Sequence, residues 1–224
     1  MTPHDPRMEK RNWLARMAWL TLLLGCVLAF LWLVVLRIVA KFHGGEPCPY
    51  ALAWLVDNPL RQWYMAPLLD RVGILPGERV LELGPGPGAF SVEAARRTEP
   101  GGALVALDIQ PQMIAAVEKK AREAGIANLE THVASAYDLP LEDESVDRAF
   151  LVTVLPEIPD RYRALVEVNR VLKPGGVLSI TEEFLDPDYP IARTIIRLAR
   201  EAGFRLAEQY GNWFVYTLNF QKPA

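Results

Sequence analysis

The sequence predicts an α/β protein whose open, mostly parallel seven-stranded sheet has helices on both faces and a C-terminal antiparallel hairpin, preceded by one transmembrane helix. Strand-like and helix-like segments alternate from residue 79 onward, which is typical of parallel β–α units. The nearly continuous apolar run at 146–154 is typical of a central strand buried on both faces. Two later apolar runs flank Gly211 and Asn212, and they indicate the closing hairpin.

The individual elements follow from the apolar patterns. Strands are expected at 79–83, 103–107, 129–133, 146–154, 176–183, 204–210 and 212–220. Helices are expected at 60–72, 88–97, 111–124, 161–172 and 191–202. Because ligands of such sheets bind at the carboxyl ends of the strands, functional residues are expected directly after each strand.

Charge is unevenly distributed along the 224 residues, whose net charge is −3. Residues 1–45 carry six Lys and Arg against two acidic residues, a net +4, which leaves −7 for the remainder. An acidic domain of this kind argues against a nucleic-acid partner, since binding to phosphates needs a basic face. The two cysteines, Cys26 and Cys48, form neither a disulfide framework nor a metal-binding pattern, so no metal is expected.

The N-terminal part contains twenty consecutive residues without a charge, 17–36. As a helix this segment would span about 30 Å, the hydrocarbon thickness of a bilayer. The sequence therefore predicts a transmembrane helix at 17–40 after a basic flank at 1–16. A buried core helix is disfavoured because the segment has no polar face. A cleaved secretion signal is disfavoured because the run is long and no small-residue cleavage site follows it.

A glycine-rich loop, Glu82-Leu83-Gly84-Pro85-Gly86-Pro87-Gly88-Ala89, follows the first predicted strand. Its alternating glycines allow a tight turn whose backbone approaches a ligand closely. Asp108, at the end of the second predicted strand, can accept hydrogen bonds from both hydroxyls of a ribose. The loop also satisfies a dinucleotide-binding fingerprint. However, Pro85 and Pro87 each remove a backbone donor that a pyrophosphate needs, which favours a phosphate-free nucleoside such as S-adenosylmethionine.

Four segments in this order resemble the class I S-adenosylmethionine-dependent methyltransferases: VLELGPGPG, LDIQPQMI, YDLPLEDESVD and EVNRVLKPGGVLSI. The resemblance covers residues 76–220. It is greatest to the broad group that contains quinone-biosynthesis C-methyltransferases and bacterial phospholipid N-methyltransferases. It implies a Rossmann-like fold, S-adenosylmethionine as the cofactor and methyl transfer as the activity, and it does not specify the acceptor.

The resemblance also implies a set of cofactor-binding residues. These are Glu82, Gly84, Pro85, Gly86 and Gly88 for the methionine and ribose, Asp108 for the ribose, Ile109 and Met113 near the adenine, and Ser135, Ala136, Tyr137 and Thr153 after later strands. Relatives usually carry an aspartate at the position of Ser135, so a charge-assisted contact to the adenine is lost here. The serine leaves two alternatives, weaker cofactor binding or a replacement contact from Tyr137 or Asp138.

Candidates for a catalytic base are weak in this sequence. A base is needed only where the acceptor atom carries a proton at working pH. The candidates are Glu157, Glu182, Glu183 and Tyr64, and each also has a structural interpretation as a solvated or core-filling side chain. His132, near the end of the third predicted strand, is interpreted as structural.

Residues 41–75 are predicted to form a linker and helical lid ahead of a catalytic domain at 76–224. Only residues 184–190 separate the fifth strand from the next helix, which leaves no room for the capping insertion that many relatives carry there. A lid tethered to a membrane helix would face lipid. The expected acceptor is therefore small and lipophilic, either a quinol-like ring or a lipid headgroup, and the bilayer is an expected partner through residues 17–40.

The expected location is the membrane. The basic residues ahead of the apolar segment mildly favour a cytoplasmic N-terminus, which would place the domain outside. Because S-adenosylmethionine is a cytosolic cofactor, the catalytic domain is instead expected on the cytoplasmic side, held by a single-pass helix or by one lying in a leaflet. Two alternatives to the methyltransferase remain, a non-catalytic S-adenosylmethionine-binding membrane protein and an NAD(P)-dependent oxidoreductase. The oligomeric state is left open.

Overall fold

The computed structural model describes residues 6–43 and 47–224, which belong to two compact units that divide after residue 43. The first unit contains helix α1 (Pro6–His43), which is 38 residues long. Within α1, the side chains from Arg16 to Trp32 are all exposed. α1 begins eleven residues before the predicted start at 17, so most of the predicted basic flank is continuous with the apolar segment in one helix.

The transmembrane helix predicted at 17–40 is not supported by the structure. In the described ranges 6–43 and 47–224, no helix combines the length and the apolar character that crossing a membrane requires.

The second unit begins with short helical segments, namely a 3-10 helix at Tyr50–Leu52, α2 (Ala53–Val56), α3 (Pro59–Met65) and α4 (Leu68–Val72). The side chain of Asn58 caps α3 by accepting a hydrogen bond from the Arg61 N–H. The prediction of one helix over 60–72 is wrong, because Pro67 has no N–H with which to continue α3. α4 ends at Gly73, whose φ of +71° is left-handed.

The predicted sheet has seven strands: β1 (Arg79–Leu83), β2 (Ala103–Asp108), β3 (Leu129–Val133), β4 (Val146–Val152), β5 (Leu172–Glu183), β6 (Arg205–Gly211) and β7 (Val215–Gln221). Their spatial order is β3-β2-β1-β4-β5-β7-β6. β7 runs antiparallel to both β5 and β6, and the other neighbouring strands are parallel. The predicted fold, a mostly parallel sheet that ends in an antiparallel hairpin, is confirmed.

The longer helices that cover the sheet are α5 (Ser91–Thr98), α6 (Pro111–Glu123), α7 (Arg161–Val171) and α8 (Ala192–Glu201), and a 3-10 helix at Leu155–Glu157 follows β4. α5 begins three residues later than the predicted start at 88. β4 ends two residues before the predicted end at 154, because Thr153 has a left-handed φ of +56° that no strand residue adopts.

Two apolar clusters lie on the two faces of the sheet. On one face, α7 and α8 pack on the central strands through residues such as Leu165 and Ile195. On the other face, Met65 and Leu68 from α3 and α4 pack with Phe150 of β4. The predicted lid is therefore partly core, and its buried helices hold the residues before them near the carboxyl edge of the sheet.

Candidate functional site

A cavity of about 290 Å³ lies at the carboxyl edge of the sheet, between the ends of β1 to β4 and residues 47–58, which we call the strap. Eleven of the twelve cofactor residues expected from the sequence line it: Glu82, Gly84, Pro85, Gly86, Asp108, Ile109, Met113, Ser135, Ala136, Tyr137 and Thr153. Residues that sequence reasoning missed, including Cys48, Arg61 and Gln110, complete the wall.

The loop after β1 needs glycine where it approaches its neighbours. Gly84 has a φ of +70°, and a Cβ there would lie 2.5 Å from Cγ2 of Val154, a distance that real contacts do not reach. Gly86 also has a positive φ and faces Val56 of the strap, whose Cγ2 would lie 3.8 Å from an added Cβ. The twelfth expected residue, Gly88, is placed against Val117 of α6 and does not line the cavity.

Glu82 adds a buried carboxyl group to the cavity wall. The residue is 3% exposed, and its Oε2 has no hydrogen-bond partner among the described residues. Burial raises the pKa of this carboxyl group to about 7. A buried acceptor without a partner is costly, and it suits a ligand that carries positive charge and donates hydrogen bonds.

Asp108 and the residues after it form a second part of the wall. Oδ1 of Asp108 accepts a 2.9 Å hydrogen bond from the Gln110 N–H. Burial raises the pKa of Asp108, although the backbone N–H groups of Gln110, Gly86 and Ile109 oppose this effect. Ile109 is 58% exposed and Met113 is buried. A carboxyl group beside an apolar surface fits a ribose with its attached adenine.

Ser135 accepts a 3.2 Å hydrogen bond from the Tyr137 N–H. The Tyr137 hydroxyl accepts a 2.9 Å bond from the Asp160 N–H, and the guanidinium of Arg163 lies 5.0 Å from the Tyr137 ring centroid. Asp138 is exposed and does not line the cavity. Of the two replacements suggested by the sequence, the structure brings Tyr137 to the cavity and not Asp138.

The strap lies across the cavity and is held at several points. The Cys48 N–H donates a 3.2 Å hydrogen bond to Oε2 of Glu157, after β4. The Cys48 carbonyl accepts a 2.9 Å bond from Nε2 of Gln110, after β2. Further along the strap, Asp57 forms an ion pair with Lys120 of α6. The strap thus connects loops that belong to different strands and covers the space between them.

Arg61 of α3 is buried in the cavity wall. Its Nε donates a 2.6 Å hydrogen bond to Oε1 of Glu183, at the end of β5. Its Nη1 donates to the Val56 carbonyl at 2.6 Å, and its Nη2 donates to Oγ1 of Thr153 at 3.2 Å. Of the described residues that line the cavity, Arg61 alone is basic. Sequence reasoning missed it because a single arginine among the apolar residues of a lid forms no motif.

The candidates for a catalytic base lie in different places. Glu157 lines the cavity, and burial raises its pKa to about 8, with the Asp108 charge among the further causes. Tyr64 donates a 2.5 Å hydrogen bond to Oε2 of Glu183, and both reach the cavity only through Arg61. Because side chains alternate along a strand, Glu182 points to the face of β5 opposite that of Glu183, and it is fully buried. Of these four candidates, Glu157 alone lines the cavity.

Comparison with known proteins adds an independent finding. The family described as "Methyltransferase domain" matches residues 81–180. The ubiquinone/menaquinone biosynthesis C-methyltransferase UbiE of Geobacter sp. (strain M21) is 32% identical over 162 residues, which are 71% of this chain and 68% of that protein. An uncharacterized 37.1 kDa protein in transposon TN4556 of Streptomyces fradiae is also 32% identical, over 63% of this chain and 47% of that protein.

Among solved structures, a SAM dependent methyltransferase from Aquifex aeolicus is similar, with a TM-score of 0.73 and 22% identity over 79% of this chain and all of that one. At this identity the likeness supports the fold alone. The chain spans about half the length of the Streptomyces fradiae relative. The family match and the UbiE relative show that the chain belongs to the class I S-adenosylmethionine-dependent methyltransferases. S-adenosylmethionine is therefore its cofactor.

The raised pKa of Glu82 predicts how the stability of the protein depends on pH. The folded state keeps the proton of Glu82 up to about pH 7, whereas the unfolded chain loses it near 4.5. The wild-type free energy of unfolding therefore falls as pH rises through this window. Glu82→Gln removes the ionisation, so its stability relative to the wild type is expected to rise by up to about 1.4 kcal/mol per pH unit.

Urea unfolding of both proteins between about pH 5 and pH 8 measures this difference. Glu123→Gln, which changes an exposed glutamate of α6, is the control and is expected to follow the wild-type curve. A constant stability difference between Glu82→Gln and the wild type across the window would contradict the raised pKa of the buried Glu82 carboxyl group.

Proposed function

We propose that the protein transfers the methyl group of S-adenosylmethionine to a small lipophilic acceptor at a membrane surface. The cavity carries this proposal, because its ionisable groups match those of the cofactor. Oε2 of Glu82, which has no hydrogen-bond partner among the described residues, suits the ammonium group. Asp108 suits the ribose hydroxyls, and the guanidinium of Arg61 suits the carboxylate. The two prolines of the glycine loop disfavour a pyrophosphate ligand, which argues against an oxidoreductase.

Arg61 is proposed to bind the carboxylate of the methionine part of the cofactor. It retains N–H donors after its three hydrogen bonds to described residues. Its contacts with Thr153 and with the ring of Phe90, 5.7 Å from the guanidinium, place it beside the glycine loop. Glu183 neutralises its charge, so a buried guanidinium is tolerated before a ligand arrives.

The bound cofactor supplies an activated methyl group on a positively charged sulfur. The residues of the chain then align the acceptor and exclude water, which offsets on the order of 7–11 kcal/mol of the barrier. The strap, through Cys48, closes the space between the ends of β2 and β4. Glu157 lies in the wall where it can accept a proton from the acceptor, if the attacking atom carries one.

Two acceptor classes suit this proposal, a quinol-like ring and a lipid headgroup. The name of the Geobacter relative, a ubiquinone/menaquinone biosynthesis C-methyltransferase, supports the quinol-like ring by analogy. The surface around the strap supports a lipophilic acceptor of either class, since Trp54 is 65% exposed, Leu60 66% and Trp63 75%. Large apolar side chains grouped in this way mark contact surfaces.

α1 is proposed to bind the lipid bilayer. Its side chains from Met17 to Trp32 are uncharged and exposed, a surface far more apolar than water-exposed helices carry. Arg16 and Arg37 flank this stretch in the sequence, as suits anionic lipid headgroups. We propose that the helix holds the catalytic domain at the cytoplasmic side of the membrane, where the cofactor is made, and that the acceptor comes from the same bilayer.

The role of Arg61 is tested by comparing S-adenosylhomocysteine with its decarboxylated analogue in titration calorimetry. The wild type is expected to prefer the carboxylated ligand, and Arg61→Met to lose at least about tenfold in affinity for that ligand only. Arg148→Met removes another buried arginine, which pairs with Glu78 outside the cavity, and is expected to keep the preference. Equal losses for the two ligands in Arg61→Met would show that Arg61 is structural.

Methyl transfer itself is tested with methyl-labelled S-adenosylmethionine, the full chain and a detergent-dispersed membrane lipid extract, beside a soluble metabolite extract. Label in the lipid-soluble fraction is expected. Label in the soluble fraction alone would remove the lipophilic acceptor. Binding of S-adenosylhomocysteine without transfer to either fraction would favour the non-catalytic alternative, and binding of a reduced nicotinamide dinucleotide instead would favour the oxidoreductase.

A further inference from the structure

Thr153, the residue that follows β4, has a backbone conformation that its side chain disfavours. Its φ of +56° is left-handed, and a β-branched side chain makes that region costlier than it is for other residues with a Cβ. Among the described residues other than glycine, only Glu144 also has a positive φ, and Glu144 is exposed. Glycine would adopt the same φ without strain, so we expect the threonine side chain to have a use that offsets the strain.

The side chain of Thr153 lies at the cavity, and its hydroxyl both donates and accepts a hydrogen bond. The residue is 7% exposed and lines the cavity. Its Oγ1 donates a 2.7 Å hydrogen bond to the Val152 carbonyl and accepts a 3.2 Å bond from Nη2 of Arg61. Since a hydroxyl has one O–H, the bond to Val152 leaves Oγ1 only as an acceptor for Arg61.

The backbone of Thr153 remains attached to the sheet. Its N–H donates a 2.8 Å hydrogen bond to the Thr181 carbonyl of β5, directly after the last paired residues of β4. The left-handed φ then turns the chain toward the 3-10 helix at Leu155–Glu157. The edge of the sheet therefore holds the hydroxyl, and a group held by a sheet is placed more exactly than one held by a loop.

Three acceptors on different elements fix the guanidinium of Arg61. Nε donates to Glu183, Nη1 donates to the Val56 carbonyl, and Nη2 donates to Thr153. A guanidinium is planar and has five N–H bonds, so these contacts set its plane and leave one N–H on each Nη. Without the Thr153 hydroxyl, a buried N–H of Nη2 lacks its acceptor, and the guanidinium is expected to turn toward another one.

We infer that Thr153 is a positioning residue that makes the site selective for the carboxylate of S-adenosylmethionine. Its strained backbone directs the hydroxyl to Nη2 of Arg61, and the oriented guanidinium then offers its two remaining N–H groups to the carboxylate. This inference rests on the proposed role of Arg61 as the carboxylate ligand. It goes beyond that role, because it assigns the orientation of Arg61 to a second residue that does not itself contact the carboxylate.

The test compares the affinities of the full chain for S-adenosylhomocysteine and its decarboxylated analogue in titration calorimetry. Thr153→Val keeps the shape and the β-branch of the side chain and removes the hydroxyl. It is expected to lose at least about fivefold in affinity for the carboxylated ligand and to stay within about twofold of the wild type for the decarboxylated one. Thr153→Ser keeps the hydroxyl and is expected to keep the wild-type preference.

Thr98→Val is the matched control. Thr98 of α5 is 0% exposed and does not line the cavity. Its hydroxyl makes the same two kinds of contact, since Oγ1 donates a 2.8 Å hydrogen bond to the Ala95 carbonyl and accepts a 2.9 Å bond from Nδ2 of Asn128. Thr98→Val is expected to be less stable toward urea and to keep the ligand preference of the wild type.

Thr153→Gly is a second variant without the hydroxyl, and it keeps the test valid if Thr153→Val folds poorly. Glycine adopts a φ of +56° without strain, so Thr153→Gly is expected to be more stable toward urea than Thr153→Ala, the reverse of the order at ordinary strand positions. It is also expected to lose the ligand preference. Lower stability of Thr153→Gly than of Thr153→Ala would overturn the strain on which the inference rests.

Combining Thr153→Val with Arg61→Met separates an indirect role from a direct contact. Because Thr153 acts through Arg61, the double variant is expected to bind the carboxylated ligand within about twofold of Arg61→Met alone. A further loss of about fivefold in the double variant would show that Thr153 contacts the ligand itself, and it would overturn the positioning role.

The remaining outcomes separate this inference from the proposed function. An unchanged preference in Thr153→Val and Thr153→Gly, with the preference lost in Arg61→Met, would overturn the inference and leave the role of Arg61 intact. An equal loss in Thr153→Ser and Thr153→Val would also overturn it, since the serine keeps the hydroxyl. A preference kept in Arg61→Met would remove both roles, and a wild type that binds neither ligand would remove the proposed function with them.

Discussion

The buried ion pair between Arg61 and Glu183 joins the N-terminal helices of the catalytic unit to the end of β5. Removing one partner of such a pair leaves a buried charge alone, at a cost of about 3–5 kcal/mol. The same guanidinium holds Thr153, whose left-handed φ ends β4, and the Val56 carbonyl at the end of α2. This side chain, together with the hydrogen bonds of Cys48 and the Asp57–Lys120 ion pair, holds the strap over the glycine loop.

Much of the fold could be predicted because its signals are local. Buried strands of a parallel sheet are short apolar runs between helical segments, and β1 matches the predicted bounds 79–83. β3 also matches its predicted bounds, 129–133, although its residues are exposed or only partly buried. The predicted bounds were wrong where the backbone of a single residue ends an element that the apolar pattern would continue. The apolar spacing continues across Pro67, which breaks the helix, and the run at 146–154 continues past Thr153, whose backbone ends the strand. The apolar N-terminal segment indicated a membrane-crossing helix that the structure does not support.

The residues of the site likewise include some that the sequence predicts and some that it does not. The glycine loop and Asp108 could be predicted because one loop and one strand end carry them. Arg61 and Cys48 could not, because their roles arise from contacts with residues 122 and 109 positions away, which no sequence spacing indicates. Gly88 was predicted to bind the cofactor because it belongs to the glycine motif, but it packs on α6 instead.

The most direct test of the account is the affinity of Asp108→Ala for S-adenosylhomocysteine, measured by titration calorimetry beside Asp138→Ala, which changes an exposed aspartate outside the cavity. If Asp108 binds the ribose at the end of β2, its loss removes charge-assisted hydrogen bonds and should weaken binding by at least about tenfold, while the control binds as the wild type does. Unchanged affinity in Asp108→Ala would contradict a nucleoside site at this edge of the sheet.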